Sequence, residues 1–248
     1  DAGSKYISKQ MKIYIDNTYN FVVEDHGEML GERGTWFKFL PFEWSVRVPM
    51  IASGPNMVRG KIEKHYTSLV DLLPTFVDLA TNEKSYEYSA NLDGKSLFGL
   101  MQGKKIDVPN ELMLEFTGEG VYAPALIFIR DGIKYVHCRT DPPMMFNLNV
   151  DPEEQNNLAL EPSYLSLANE MKSEIDKRWN YDELENKVIK SQKRRLFVQN
   201  TLLKGKWTGW DHQPFVDAKK AYVRGAIDPS TTATKARKRY PFVETIEP

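Results

Sequence analysis

Phe21-Val22-Val23-Glu24-Asp25-His26-Gly27-Glu28-Met29-Leu30-Gly31-Glu32-Arg33-Gly34-Thr35-Trp36-Phe37-Lys38 decides the reading of this chain. A short apolar run of β-branched and aromatic residues, Tyr19 to Glu24, reads as a strand covered on both faces. Where it stops, a carboxylate and an imidazole stand side by side. In a parallel α/β sheet, ligands bind in the crevice beyond the carboxyl ends of the strands. Asp25 offers carboxylate oxygens and His26 a ring nitrogen to one divalent cation, and Gly27 lets the backbone turn sharply enough to aim both. The bland reading of the same pair is a loop cap that satisfies turn amides. A hard cation takes about six to eight donors, so two ligands from this stretch need partners from elsewhere.

Outward from that stretch, period and punctuation organise the chain. Arg47 to Ala52 reads as a second strand, ended by the turn cluster Ser53-Gly54-Pro55-Asn56. Asp71 is expected to cap a helix in which Leu72, Leu73, Phe76, Leu79 and Ala80 recur at helical spacing, Pro74 being tolerated in the first turn. Beyond Gly103 the texture changes to strands separated by turns: Glu111 to Phe116, Ala125 to Arg130, Ile133 to Cys138 and Met144 to Leu148. Asp131-Gly132 between two of them predicts a two-residue hairpin turn with positive φ. Asp151 to Leu158 is a turn leading to a helix over roughly 163–179, whose Tyr164, Ala168, Met171 and Ile175 form one stripe. That stripe should cover one face of a small antiparallel sheet.

Composition suits a folded domain and narrows the partners. At 248 residues with 41% hydrophobic content, the chain can bury a core. Charge is nearly balanced, 33 basic against 34 acidic residues, so no global field recruits nucleic acid or an anionic membrane. No charged-then-apolar leader or long apolar run is visible, so no membrane partner is expected. Lys187, Lys190, Lys193, Arg194 and Arg195 are a local basic cluster, but Leu196, Phe197 and Val198 interrupt it. A solvated helix face or a subunit contact suits that pattern better than a polyanion site, and the same holds for 235–239. The single cysteine, Cys138, excludes an internal disulfide, favours a reducing, cytoplasmic setting, and reads as a small buried hydrophobe.

Asp25-His26-Gly27, followed by Met29-Leu30-Gly31-Glu32-Arg33-Gly34 and Trp36-Phe37-Lys38, resembles the sulfatases, most closely the choline-sulfatase subgroup. Arg47-Val48-Pro49-Met50-Ile51, Asp71-Leu72-Leu73-Pro74-Thr75 and Leu92-Asp93-Gly94-Lys95-Ser96-Leu97 resemble general sulfatase segments. Trp210-Asp211-His212-Gln213-Pro214-Phe215 is similar to the choline-sulfatase tail. The resemblance implies an α/β fold: the C-terminal part of a sulfatase-type, alkaline-phosphatase-like sandwich, with a smaller antiparallel-sheet subdomain and an extended tail. The expected division is 1–103 for the catalytic α/β part, 104–182 for the small sheet with its packed helix, and 183–248 for a tail serving oligomerisation and the substrate pocket.

The same resemblance implies the chemistry. Asp25 and His26 become metal ligands, the ion being Ca²⁺, with Mg²⁺ or Mn²⁺ as alternatives. Lys38 becomes the catalytic cation that grips a sulfate oxygen and stabilises the leaving ester oxygen. The family's nucleophile is a formylglycine, made from Cys or Ser in a short motif that this sequence lacks, so the chain reads as a C-terminal portion. Against the family pattern the junction at Asp16 and Asn17 is shortened, and Glu24 stands where a small hydroxyl residue is usual. Choline's quaternary ammonium donates no hydrogen bond, so its pocket needs aromatic faces and carboxylates. Trp210 and Asp211 supply one of each, and Glu115, in preference to Glu119, is the expected second carboxylate. His65 and His137 are read as structural. The expected activity is hydrolysis of choline sulfate to choline and sulfate by a homo-oligomer, a dimer or tetramer. The alternatives are another sulfatase, a phosphonate monoester hydrolase, or a catalytically incomplete piece that binds or oligomerises.

Overall fold

The computed structural model describes residues 18–81, 88–105, 109–118 and 121–205. A four-stranded antiparallel sheet organises them, in the order β3 (Glu111–Phe116), β4 (Ala125–Arg130), β5 (Ile133–Cys138) and β6 (Asp141–Asn147). The β4–β5 turn is the two-residue Asp131-Gly132 loop, closing the Arg130–Ile133 pair with φ of 50° and 85°. Asp and Gly accept that left-handed geometry, which matches the twist of the flanking strands. β6 begins three residues before the expected Met144, because Pro142 and Pro143 are tolerated on an edge strand whose outer N–H groups need no ladder partner.

In β4 every residue from Ala125 to Ile129 is buried, which means that both faces of this sheet are covered. Leu126, Phe128, Tyr135 and Met145 meet Ala168, Met171 and Ile175 on one face. Those last three belong to the helix Leu165–Arg178, entered through a 3₁₀ turn at Pro162–Tyr164, so the predicted stripe does cover the sheet. The opposite face carries Ile127, Ile129 and Val136, packed by Val46, Tyr66 and Leu112, while Met29, Phe42 and Phe146 form a cluster beside them. Met29 and Phe42 come from the segment quoted at the outset and its continuation. The small sheet is therefore the platform on which the Asp25–Lys38 loop lies.

The first strand differs from its expectation. β1 (Asn20–Val23) pairs antiparallel with β2 (Met50–Ser53), Phe21 opposite Ala52, and Val22 is 46% exposed. A short apolar run does not by itself distinguish a parallel from an antiparallel neighbour, and here the chain returns beside itself after the intervening loop. Among the described residues three α-helices lie between β1 and the small sheet in sequence order. We label the short helix Glu43–Val46 α1 and the helix Leu72–Thr81 α2. Asp71 does not cap α2 as expected; a 3₁₀ turn, Leu69–Asp71, precedes it, and Asp71 Oδ2 accepts from the Ser68 amide at 2.8 Å. Its other oxygen accepts from the Lys95 amide at 2.8 Å, which ties the Asp93-Gly94 segment to the helix start. On α2 the buried residues are Pro74 and Thr75, while Leu73 and Phe76 are exposed, contrary to the expected apolar face. Phe76 meets Phe21 of β1 edge-on at 5.0 Å.

Phe98–Met101 is a further short helix (α3), Leu165–Arg178 is α4, and Tyr181–Leu202 is α5. Asn180 caps α5 by accepting from the Glu183 amide at 3.1 Å. Leu196, Phe197, Val198 and Leu202 are exposed along it, as a solvated helix or a contact face would have them. Cys138 is buried on the inner strand β5. Among the described residues no helix is long and apolar enough to cross a membrane. The basic stretch 235–239 and the junction at Asp16 and Asn17 lie outside the described residues.

Candidate active site

β1 ends at Val23, and Asp25 and His26 follow one residue later, at its carboxyl end as expected. The loop that turns back toward α1 is stiff. Met29, fully buried, donates its amide to the Phe37 carbonyl at 3.0 Å, and Gly31 donates to Thr35 at 2.9 Å. The Glu28 carboxylate accepts the Phe37 amide. Leu30, Arg33 and Phe37 hold positive φ, of 50°, 52° and 72°. Such strained positions persist only where the surroundings over-determine them, and they cluster at functional sites.

The glycine in the motif acts differently from its expectation. Gly27 is needed for close approach rather than for an unusual φ: its amide donates to the Ser45 carbonyl at 2.8 Å, and an added Cβ would overlap the Trp44 carbonyl oxygen. That contact holds the Asp25-His26 end of the loop against α1.

Three of the expected site residues converge. Lys38 Nζ lies 2.7 Å from His26 Nε2, and Asp25 Oδ2 lies 3.5 Å from the same nitrogen. His26 Nδ1 is 2.7 Å from the Gly27 carbonyl oxygen. A carbonyl only accepts, so Nδ1 carries the proton, and Nε2 turns its lone pair toward Lys38 and Asp25. This is the orientation a histidine needs to act as a ligand through Nε2 while its other nitrogen is fixed by a hydrogen bond. The Asp25 side chain is 82% exposed and that of His26 35%. A carboxylate and a neutral imidazole with converging lone pairs fit a divalent cation as two of its donors. Among the described residues no third His, Cys, Asp or Glu joins them.

The loop is fastened to the small sheet by charge as well as by Met29 and Phe42. Lys134, on β5, is fully buried and donates to Glu43 Oε1 at 3.0 Å. It also meets Glu154 Oε1 at 2.8 Å, an off-axis ion pair. Glu154 Oε2 in turn accepts the Glu43 amide at 2.7 Å. Trp44 Nε1 donates to Glu153 at 2.9 Å, and Arg33 donates to the Glu153 and Glu154 carbonyls while its guanidinium stacks 3.9 Å over the Phe42 ring. The turn bearing both glutamates is itself fixed by Asp151, whose carboxylate accepts the Gln155 and Asn156 amides at 3.0 and 2.8 Å. Those amides, Gln155 first, hold the Asp151 carboxyl below the usual carboxylate range. None of Lys134, Glu43, Glu153 and Glu154 was singled out by sequence reasoning. The available signal was a lone lysine inside the apolar strand Ile133-Lys134-Tyr135-Val136.

Glu115 is on β3, the edge strand, and accepts from Trp179 Nε1 at 3.1 Å, with the Arg178 guanidinium 5.8 Å from the Trp179 ring centroid. The structure records no contact between Glu115 and Asp25, His26 or Lys38. Trp210, Asp211 and Glu119 lie outside the described residues. His137 is half-buried and edge-on to Tyr181 at 5.5 Å, its pKa lowered by burial first and by Lys172 next. His65 donates its amide to Glu63 at 3.1 Å and touches no group of the candidate site.

The described residues thus present an aspartate, a histidine and a lysine beyond β1, and comparison with known proteins gives the family. Residues 31–181 match the family described as N-sulphoglucosamine sulphohydrolase, C-terminal, and residues 186–240 match that described as choline sulfatase enzyme C terminal. This chain belongs to the sulfatase family. It is 37% identical over 234 residues to the choline-sulfatase of Rhizobium meliloti (strain 1021), covering 92% of this chain and 44% of that protein. A protein solved in complex with its substrate D-glucosamine-2-N,6-O-disulfate shares the fold with TM-score 0.62 at 21% identity, over 70% of this chain and 37% of that one. The phosphonate monoester hydrolase of Agrobacterium radiobacter shares it with TM-score 0.60 at 22% identity, over 70% and 37%. The chain spans less than half the length of these relatives.

Proposed function

We propose that the protein hydrolyses choline sulfate to choline and inorganic sulfate, this chain supplying the charged end of the sulfate site. The observation that carries the reading is the meeting of Lys38, His26 and Asp25 within 3.5 Å of one nitrogen, at the end of β1. A sulfate monoester is an anion, and charge grows on its bridging oxygen as the ester bond breaks. In this reading the Lys38 ammonium, exposed at the loop surface, pairs with that charge. Asp25 and His26 Nε2 would hold a divalent cation, Ca²⁺ being our choice. When bound, that ion neutralises sulfate charge, and a formylglycine borne outside this sequence supplies the nucleophile. The choice of choline rests on the 37% identity and on the tail match at 186–240, which contains Trp210 and Asp211. In this reading those two residues, with Glu115, receive the quaternary ammonium, and the protein is a homo-oligomer working in a reducing, cytoplasmic setting.

The structural likeness to a phosphonate monoester hydrolase favours one second reading, a phosphonate ester as substrate. Steady-state hydrolysis of choline sulfate, 4-nitrophenyl sulfate and 4-nitrophenyl phenylphosphonate by the full-length protein separates them. An aromatic–carboxylate pocket for the ammonium favours choline sulfate in kcat/KM by about tenfold or more, the equivalent of one cation–π contact. Equal or better turnover of the aryl sulfate or the phosphonate would remove choline from the proposal.

A further inference from the structure

We propose that Lys134, acting through Glu43 and Glu154, is a positioning residue for the loop that presents His26 and Lys38; the inference rests on the reading of those two residues given above. Lys134 lies on an inner strand of the small sheet, on the face opposite α4, with no solvent access. Its partners come from opposite directions in sequence: Glu43 from α1, five residues after Lys38, and Glu154 from the turn after β6. The figure is closed, because Glu154 also takes the Glu43 amide at 2.7 Å. Two residues beyond Glu43, the Ser45 carbonyl takes the amide of Gly27, the neighbour of His26. The 26–45 loop is thus pinned where α1 meets both the sheet and the His26 end.

Stability alone is a poor account of a buried ammonium. Removing two or three charges from water costs about as much as their attraction returns, and apolar side chains of similar volume hold such sites as well or better. Met29, Phe42 and Phe146 already supply apolar adhesion beside it. What the ion triangle adds is direction, since a lysine reaching two carboxylates fixes the register of α1 against β5 where apolar contacts would let it slide. The left-handed backbone at Leu30, Arg33 and Phe37 would relax if that register were lost. Lys38 would then drift from His26, and a displacement of about 1 Å costs about 100-fold in rate.

The test is Lys134→Met in the full-length protein, read by amide hydrogen exchange and by steady-state kinetics. The expected result is exchange about tenfold faster at the amides of Gly27, Phe37 and Glu43, with those of Ile127 and Phe128 in β4 unchanged. With it, kcat for the sulfate ester falls about 10- to 100-fold while KM changes little. Unchanged exchange at Gly27 and Phe37, faster exchange spread equally through β4, or an unchanged kcat would overturn the proposal. Should Lys134→Met fail to fold, Glu43→Gln keeps an oxygen toward Lys134 but removes its charge. The same pattern at smaller amplitude is expected there, and its absence counts against the proposal. The exchange arm needs no turnover, so a wild-type protein inactive on sulfate esters would sink the proposed function while leaving the role of Lys134 to be decided by exchange.

Discussion

The ammonium of Lys38 stands 2.7 Å from Nε2 of His26, although twelve residues separate them and the loop between passes through three left-handed non-glycine positions. A protonated imidazole would repel that ammonium, so the contact requires the neutral ring with its proton on Nδ1, where the Gly27 carbonyl accepts it. The one lone pair of Nε2 faces the Lys38 ammonium here, so a metal ion bound at Nε2 would take that place and leave Lys38 free to pair with an anion.

Lys38→Ala removes the cation without filling a buried space, since Lys38 is exposed. Loss of one preorganised charge donor aimed at the transition state costs about 10²–10³ in kcat. Kinetics of the full-length protein on a sulfate ester should show that fall with a thermal midpoint unchanged from wild type.

Gly27→Ala tests the close approach of the motif to α1. A methyl group there meets the Trp44 carbonyl, which is backbone and cannot rotate away. Overpacking of this kind costs about 1–3 kcal/mol, seen in urea unfolding as a lower midpoint at unchanged slope. Activity should fall as well, because the displaced residue adjoins His26.

Acid should loosen the turn that carries Glu153 and Glu154. The folded Asp151 carboxyl titrates below its ordinary value of 3.8, so its stabilising contribution is fully present above about pH 4 and is lost as pH falls through the lower folded value. Asp151→Asn removes this dependence. Thermal midpoints measured from pH 7 to pH 3 should lie below wild type at neutral pH, with the gap narrowing toward pH 3.

Much of the small sheet could be read directly from the sequence, because its signals are local. The uninterrupted apolar run of β4, the Asp131-Gly132 turn and the Ala168-Met171-Ile175 stripe each state their structure within a few residues. The sequence pattern starts β6 only at Met144, after two prolines that the strand in fact includes, because their tolerance depends on edge position, a property of the sheet rather than of the strand. The antiparallel pairing of β1 and the exposure of Leu73 and Phe76 depend likewise on neighbours that local pattern does not specify. Asp25, His26 and Lys38 were legible as a set through family resemblance, and geometry brings them together. The triangle of Lys134, Glu43 and Glu154 was not, since its members stand 91 and 111 residues from Glu43 and meet only through tertiary packing.

The most direct test of the account is metal content. Full-length wild-type protein and its Asp25→Ala/His26→Ala variant, dialysed alike against micromolar Ca²⁺, should be compared by inductively coupled plasma mass spectrometry. The account predicts close to one divalent ion per chain in the wild type and a content near zero in the variant, with a matching circular dichroism spectrum. Equal metal in both, or none in an active wild type, would contradict it.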